Sequence, residues 1–211
     1  MPYACGIMSE EARLGVLRLA DQWSFAVATE VADLIALYMQ QLLVWNKRVN
    51  LTGARSLEDL LGEHLPDSFA LAKLVPEGLE VVDVGSGGGL PAIPFALLRR
   101  DCRVTLVEPR AKRIAFLNTV ARVCGCVSVE ISRKRLEDFR GSRFSVAMSR
   151  ATFAPEEWLR LAPPLVVPGG RMIVLTTSQV RPEVTQHRLV DSIEYRTSSG
   201  ASRWAGCYCF T

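Results

Sequence analysis

The segment Val81-Val-Asp-Val-Gly85-Ser-Gly87-Gly-Gly89-Leu90-Pro91 restricts the fold more than any other stretch of the chain. Apolar β-branched residues run into a turn in which four of five positions, 85–89, are glycine. An apolar helical pattern then starts at a proline, and a first helical turn tolerates proline because no donor is lost there. A strand feeding a helix through such a turn is the ligand-binding corner of a doubly wound α/β sheet. Glycine reaches the positive φ that such a turn needs and lets a ligand approach the backbone.

Downstream, short apolar strands alternate with helices, which implies a parallel sheet covered on both faces. Strands are expected at Leu79–Val84, Arg103–Glu108, Val127–Ile131, Phe144–Met148 and Arg171–Thr176. Helices are expected at Pro91–Arg99, Ala111–Val123 and from about Pro155, with Pro168-Gly169-Gly170 as a turn before the fifth strand. Two further strand patterns, Ser192–Arg196 and Trp204–Phe210, flank a Ser/Gly-rich turn and read as an antiparallel hairpin. A seven-stranded, mostly parallel sheet ending in such a hairpin is the Rossmann-like architecture of class I methyltransferases.

The first 75 residues read as a helical extension packed on a core formed by residues 76–211. Ser9 is placed to cap a helix carrying Leu14, Leu17 and Trp23. Val31, Leu34, Ile35, Tyr38, Met39, Leu42 and Leu43 have the spacing of a helix with one buried face. Ser56-Leu-Glu-Asp59 resembles a capping box, and Pro66 interrupts or bounds the helix that follows.

Composition excludes some classes. No apolar run reaches the ~18 residues of a membrane span, and the first ten residues lack the pattern of a secretory signal, so a cytoplasmic protein is expected. The six cysteines, at 5, 102, 124, 126, 207 and 209, include two C-x-C pairs and no C-x-x-C, so reduced structural thiols are expected and no metal site. The net charge of +3 is mild, but its make-up is not: 21 arginines stand against 4 lysines. Arginine forks match phosphates and guanine edges. A GC-rich coding sequence explains the same bias equally well.

The chemistry centres on the glycine turn. Asp83 precedes it and should face a ligand, while Gly85, Gly87, Gly89 and Leu90 form its cradle. Glu108 ends the next strand, where a carboxylate can accept both hydroxyls of a ribose. Gly87-x-Gly89-x-x-Ala92 also fits a dinucleotide fingerprint, for which Glu108 is equally well placed. Three features favour S-adenosylmethionine: the Asp-bearing strand end, the terminal hairpin, and a length too short for a separate dehydrogenase substrate domain. After the fourth strand, Met148-Ser-Arg150-Ala-Thr-Phe153 replaces the N-P-P-Y or D-P-P-Y of exocyclic-amine methylases. No proline-cysteine nucleophile pattern is present either. An acceptor that is already nucleophilic, such as guanine N7, fits that plainness. Arg150 is the candidate catalytic residue: it could hold the guanine O6 edge or the methionine carboxylate, or simply pin the strand end by a salt bridge.

Several segments together resemble the RsmG, or GidB, family of bacterial small-subunit rRNA guanine-N7 methyltransferases. These are Trp45-Asn-Lys-Arg-Val-Asn-Leu-Thr52, His64-x-x-Asp67-Ser68, Asp83-Val-Gly-Ser-Gly-Gly-Gly-Leu-Pro91, Val107-Glu108, Lys112-Arg113-x-x-Phe116-Leu117 and Ser149-Arg-Ala151. The resemblance runs from about residue 38 to 177 and implies methylation of a guanine N7 in the decoding-region loop of 16S rRNA. It implies that Gly85 and Leu90 contact the cofactor, that Leu136 and Glu137 flank its adenine, and that Arg150 stands at the mouth of the site. Ala92 replaces a usual glycine, and Thr176-Thr-Ser178 replaces a usual lysine-glycine pair, which removes a charge from the expected RNA face.

Lys47, Arg48, Asn50, His64, Arg110 and Arg113 are candidate RNA contacts, with Arg55 and Arg133-Lys-Arg135 as further basic clusters. His187 has no titratable partner nearby in sequence and reads as a surface residue. The expected partner is 16S rRNA or an assembly intermediate of the small subunit, with the enzyme acting as a monomer. Competing readings are a methyltransferase for another RNA, a protein or a small molecule, and a nucleotide-sensing module without catalysis. Fold alone does not choose among them.

Overall fold

The computed structural model describes residues 10–139, 143–177, 181–182 and 186–210. Seven strands form one sheet: β1 (Glu80–Val84), β2 (Arg103–Val107), β3 (Val129–Ser132), β4 (Phe144–Ser149), β5 (Val166–Thr177), β6 (His187–Arg196) and β7 (Ser202–Phe210). Their order is β3-β2-β1-β4-β5-β7-β6. The first five run parallel, and β7 enters antiparallel between β5 and β6. This is the expected mostly parallel sheet closed by an antiparallel hairpin. Helices α5 (Ala92–Leu98), α6 (Ala111–Val123) and α7 (Pro155–Leu161) make the crossovers.

Ahead of the sheet lie α1 (Glu10–Gln22), α2 (Thr29–Asn46), the short α3 (Leu57–Asp59), a π-helical turn (Leu60–His64) and α4 (Leu65–Leu74). A continuous buried cluster joins them to the sheet: Ile35, Tyr38 and Phe69 pack in the same core as Val81, Phe95 and Phe116. A second cluster, around Val82, Trp158 and Trp204, fills the other face.

Local chemistry explains the path of the extension. Ser56 accepts from the Asp59 N–H at 3.1 Å, as a cap should, but Asp59 returns its carboxylate to the N–H of Arg55 rather than to that of Ser56. Pro66 does not break the helix. Having no N–H, it leaves the Gly62 carbonyl without its i+4 donor. The Ser198 N–H, from the β6–β7 turn, takes that carbonyl at 3.1 Å. Glu63 holds the same turn, accepting from the Ser198 hydroxyl at 2.9 Å and the Ser199 N–H at 2.8 Å. Burial pushes the Glu63 pKa up, but these donors outweigh it and bring it down to about 2.

Several boundaries differ from expectation. β3 starts at Val129, and Val127 stands almost fully exposed before it. The Pro168-Gly169-Gly170 turn lies inside β5 as a bulge: Phe144 pairs with Val166 but Val146 with Arg171. Gly169 takes φ +75° there. The hairpin's first strand begins at His187, five residues early, and the His187 ring packs edge-on against Phe210. In α1 the buried face is Ala12, Gly15, Val16 and Ala20, while Leu14 faces out and Trp23 lies past the helix end. Gly15 is there because a Cβ would sit 2.6 Å from Leu61 Cδ1. The Ser9 cap and Ser178 lie outside the described residues, as does Cys5. The other five cysteines are free thiols, and burial raises Cys124 to about 12 and Cys126 and Cys207 to about 11.

Candidate functional site

The carboxyl ends of β1, β2 and β4 converge on the glycine turn. The N–H groups of Gly85 and Ser86 both reach the Val107 carbonyl, at 2.8 and 3.2 Å, which folds the turn over the end of β2. Gly85 has φ +79°, and a Cβ there would lie 2.2 Å from Thr152 Oγ1. At Gly89, φ +83°, a Cβ would strike Ile93 at 2.6 Å. The helical extension braces the turn from behind. Tyr38 donates its hydroxyl to the Gly88 carbonyl at 2.6 Å, and a Cβ on Gly88 would be 3.0 Å from both Leu42 Cδ1 and the Leu51 carbonyl.

Glu108 is 2% exposed, and both its oxygens are engaged: Oε2 accepts from Gly87 N–H at 3.0 Å, and Oε1 from Arg110 N–H at 2.9 Å. Arg113 Nη1 stands 3.5 Å from Oε2, and its Nη2 donates to the Asn50 carbonyl at 3.2 Å. A carboxylate oxygen has more than one acceptor position, so these bonds fix the group and still leave capacity for hydroxyl donors. Asp83 is 1% exposed, and its Oδ2 has no hydrogen-bond partner. Burial pushes its pKa up to about 7, against the opposing pull of Ser86 and Arg150.

A cleft of about 420 Å³ opens beside the turn, lined by Val84, Gly85, Val107, Pro109, Arg110, Lys134, Arg135, Leu136, Glu137, Thr152 and Phe153. Its size falls in the range of small-molecule sites. Gly85, Leu136 and Glu137 share this cleft, whereas Gly87, Gly89, Leu90 and Arg150 are not among its lining residues. It has an apolar wall at Leu136 and Phe153 and carboxylates at Glu137 and, just behind, Glu108. That lining suits a nucleoside with a charged tail. A larger cavity of about 820 Å³ starts at the opposite, N-terminal ends of β1 and β2, with Glu80, Arg103 and Glu130 in its wall. It has mixed charge and no glycine turn, so the smaller cleft is the better candidate.

Arg150 follows β4, and it makes the salt bridge that was the alternative to a catalytic role, tying the strand end to the extension. Its Nε meets Asp67 Oδ2 at 2.7 Å, and its Nη2 meets His64 Nδ1 at 2.7 Å. Both partners come from the extension. Arginine only donates, so His64 Nδ1 accepts and the ring proton sits on Nε2. Burial first, and the Arg150 cation second, hold the His64 pKa below its ordinary value, so the ring is neutral at neutral pH. Asp67 is 3% exposed, and its other oxygen accepts from the Tyr195 hydroxyl at 2.6 Å. The next residue, Ala151, takes φ +56°, a conformation uncommon outside glycine and worth notice beside a site. Ser149 and Thr152 flank it, the former donating to the Val84 carbonyl at 2.8 Å.

The candidate RNA residues fall into two groups. Arg48, Asn50, Arg110 and Arg113 line one basic hollow of about 590 Å³ with Lys112 and Arg133, and exposed Lys47 adjoins it at the end of α2. His64 lies apart, inside the Arg150 cluster. Sequence reasoning missed Asn46, Tyr38 and Tyr195. Asn46 staples the loop after α2, donating to the Thr52 carbonyl at 2.9 Å and accepting from Leu51 N–H at 2.8 Å. Its place at the end of a helix, before Val49-Asn-Leu-Thr52, was the available signal. Nothing in the sequence around Tyr195 pointed to Asp67.

Comparison with known proteins agrees with this geometry. Residues 32–200 match the family model described as GidB, rRNA small subunit methyltransferase G. The chain is 34% identical over 176 residues to the ribosomal RNA small subunit methyltransferase G of Geobacter sulfurreducens, covering 82% of this chain and 77% of that one. It is 37% identical over 182 residues to the protein of the same name from Ralstonia nicotianae, covering 80% and 81%. Among solved structures, a putative O-methyltransferase from Klebsiella pneumoniae matches 97% of this chain and 100% of its own, at a TM-score of 0.57 and 13% identity. A SAM-dependent methyltransferase from Aquifex aeolicus matches 72% and 93%, at a TM-score of 0.56 and 12% identity. At such identities these structures speak for the fold alone. Among the described residues no helix is long and apolar enough to cross a membrane.

Proposed function

Since the chain belongs to the rRNA small subunit methyltransferase G family, we propose that it methylates N7 of a guanine in 16S rRNA with S-adenosylmethionine as donor. The observation that carries this reading is the span of the family match: residues 32–200 include the glycine turn, Glu108 and Arg150, on which the proposed site is built. The substrate is the 16S rRNA or an assembling small subunit, and the enzyme acts as a cytoplasmic monomer.

The residues fit the cofactor. Gly85 and Gly89 keep the turn free of side chains, Glu108 accepts ribose hydroxyls, Leu136 and Glu137 flank the adenine, and Asp83 and Leu90 complete the cradle. When bound, S-adenosylmethionine supplies an electrophilic methyl group on a sulfonium. The protein's task is then alignment, worth up to ~7–11 kcal/mol in favourable cases. Guanine N7 has an in-plane lone pair, so no residue has to remove a proton before attack. Arg150 presents its remaining N–H groups to the O6 edge of the base, as arginine does elsewhere. The hollow formed by Arg48, Arg110, Lys112, Arg113 and Arg133 takes the RNA backbone. Each phosphate neutralised there adds about 0.7–0.9 to the salt dependence of binding.

The test is to incubate purified protein and donor with small-subunit RNA, free and in subunits, and map the methylated nucleotides. One 7-methylguanosine in 16S rRNA is the expected result. Methylation elsewhere, or of protein alone, overturns the reading.

A further inference from the structure

Arg150 is useful only if its planar fork points the right way, and three segments far apart in sequence share that task. Asp67, from the first turn of the helix after the π segment, takes the Nε edge at 2.7 Å. His64 takes one Nη2 hydrogen at 2.7 Å. Of the five N–H groups of an arginine, three then remain for a substrate. Asp67 itself is almost fully buried, so its second oxygen, turned away from Arg150, needs a donor of its own from the protein. Tyr195 holds it, donating at 2.6 Å from β6. The Tyr195 ring is in turn fixed edge-on by Trp23, at 5.2 Å between centroids.

We propose that Tyr195 is a positioning residue for methyl transfer: its hydroxyl sets the rotamer of Asp67, which sets the orientation of the Arg150 fork at the acceptor site. Tyr195 touches neither cofactor nor substrate. It acts through two charge-assisted contacts, the geometry that gives directional strength to such chains. The inference rests on the reading of Arg150 given above. It adds that the carboxyl-terminal hairpin, which lines no part of the cofactor cleft, is a working part of the site.

The experiment is a double-mutant cycle on the full chain between Tyr195→Phe and Arg150→Lys, reading methyl transfer to small-subunit RNA, affinity for S-adenosylhomocysteine, and melting temperature. Tyr195→Phe keeps the ring against Trp23 and removes only the hydroxyl. It is expected to lower kcat about tenfold, since small misplacements cost large factors. Cofactor affinity and the KM for RNA should stay within about twofold. In the Arg150→Lys background the same change should cost less than about twofold more, because coupled residues are not additive. Val120→Ala, in the core face of α6 and outside this chain of contacts, serves as the packing control: it should lower the melting temperature without the tenfold loss. The proposal is overturned by an equal loss from Tyr195→Phe in both backgrounds, or by full activity of Tyr195→Phe while Arg150→Lys is impaired. Full activity of Arg150→Lys would instead remove the role given to Arg150, and this proposal with it, while leaving the identity of the methylated base untouched.

Discussion

The glycine turn and the Arg150 cluster sit at the ends of paired strands, β1 and β4, yet they are assembled in opposite ways. The turn is local. Its fold is set by residues 83–93 and the end of β2, with Tyr38 of the extension bracing Gly88 from behind, and glycines with positive φ keep it open. The cluster is non-local. Residues 64, 67, 150 and 195 meet only when the extension, the central sheet and the hairpin are all in place. On the proposed function, the first design puts cofactor recognition in backbone shape. The second puts acceptor recognition in side-chain charge, and makes it depend on three separate parts of the chain.

Four substitutions probe this contrast. Asp67→Asn should cost most, because it leaves Arg150 unpaired in a site where the two side chains are 4% and 17% exposed. Breaking a buried pair from one side costs about 3–5 kcal/mol, and denaturant unfolding should show a loss near the lower bound. Affinity for S-adenosylhomocysteine should hardly change, and if it collapsed, the two regions would not be separable. Gly85→Ala should do the converse. Its Cβ meets Thr152 and its φ carries a penalty of about 1–2 kcal/mol. Calorimetry should show at least a tenfold loss of S-adenosylhomocysteine affinity, about 1.4 kcal/mol, with the Arg150 contacts intact in a crystal structure.

Asp83 lies between the two regions and feels both Glu108 and Arg150. Burial raises its pKa from an ordinary carboxylate value to about 7, so the folded protein keeps a proton that the unfolded chain releases. Stability should therefore fall as pH rises from about 4 to 7, by at most about 1.4 kcal/mol per pH unit for this group, and level off above. Asp83→Asn should remove that slope, and an unchanged pH profile of unfolding would place the proton elsewhere. Ser56→Ala removes a cap that touches neither region, at the start of the helical run that carries His64 and Asp67. About 1 kcal/mol of stability is the expected cost, with cofactor affinity and RNA methylation rates unaltered.

What could be read from the sequence follows the same division. The parallel sheet, the terminal hairpin, the glycine turn and Glu108 are all written in short windows, where strand and helix periods and turn residues act locally. His64 and Asp67 were visible as well, but only as one segment of the family resemblance. Their partner was not. Tyr195 stands in a strand of mixed polar residues, 128 positions from Asp67, and its role exists only in three dimensions. The Pro168-Gly-Gly170 bulge was misjudged for a related reason: the residues that favour a turn also favour a bulge, and the pairing partner decides between them. In α1 the fully buried stripe is made of small residues, which hydrophobic size does not single out, although Leu17 and Trp23 also pack against the core.

The placing of β7 between β5 and β6 has a consequence for synthesis. As the chain leaves the ribosome, β6 emerges with no strand to pair with, because its one partner in the sheet, β7, is made after it. Tyr195 therefore cannot reach Asp67 in a lasting way until residues 202–210 have been extruded and threaded into the gap. A nascent chain could thus complete its cofactor corner early and still lack an oriented Arg150, so that methylating competence arrives late and in one step.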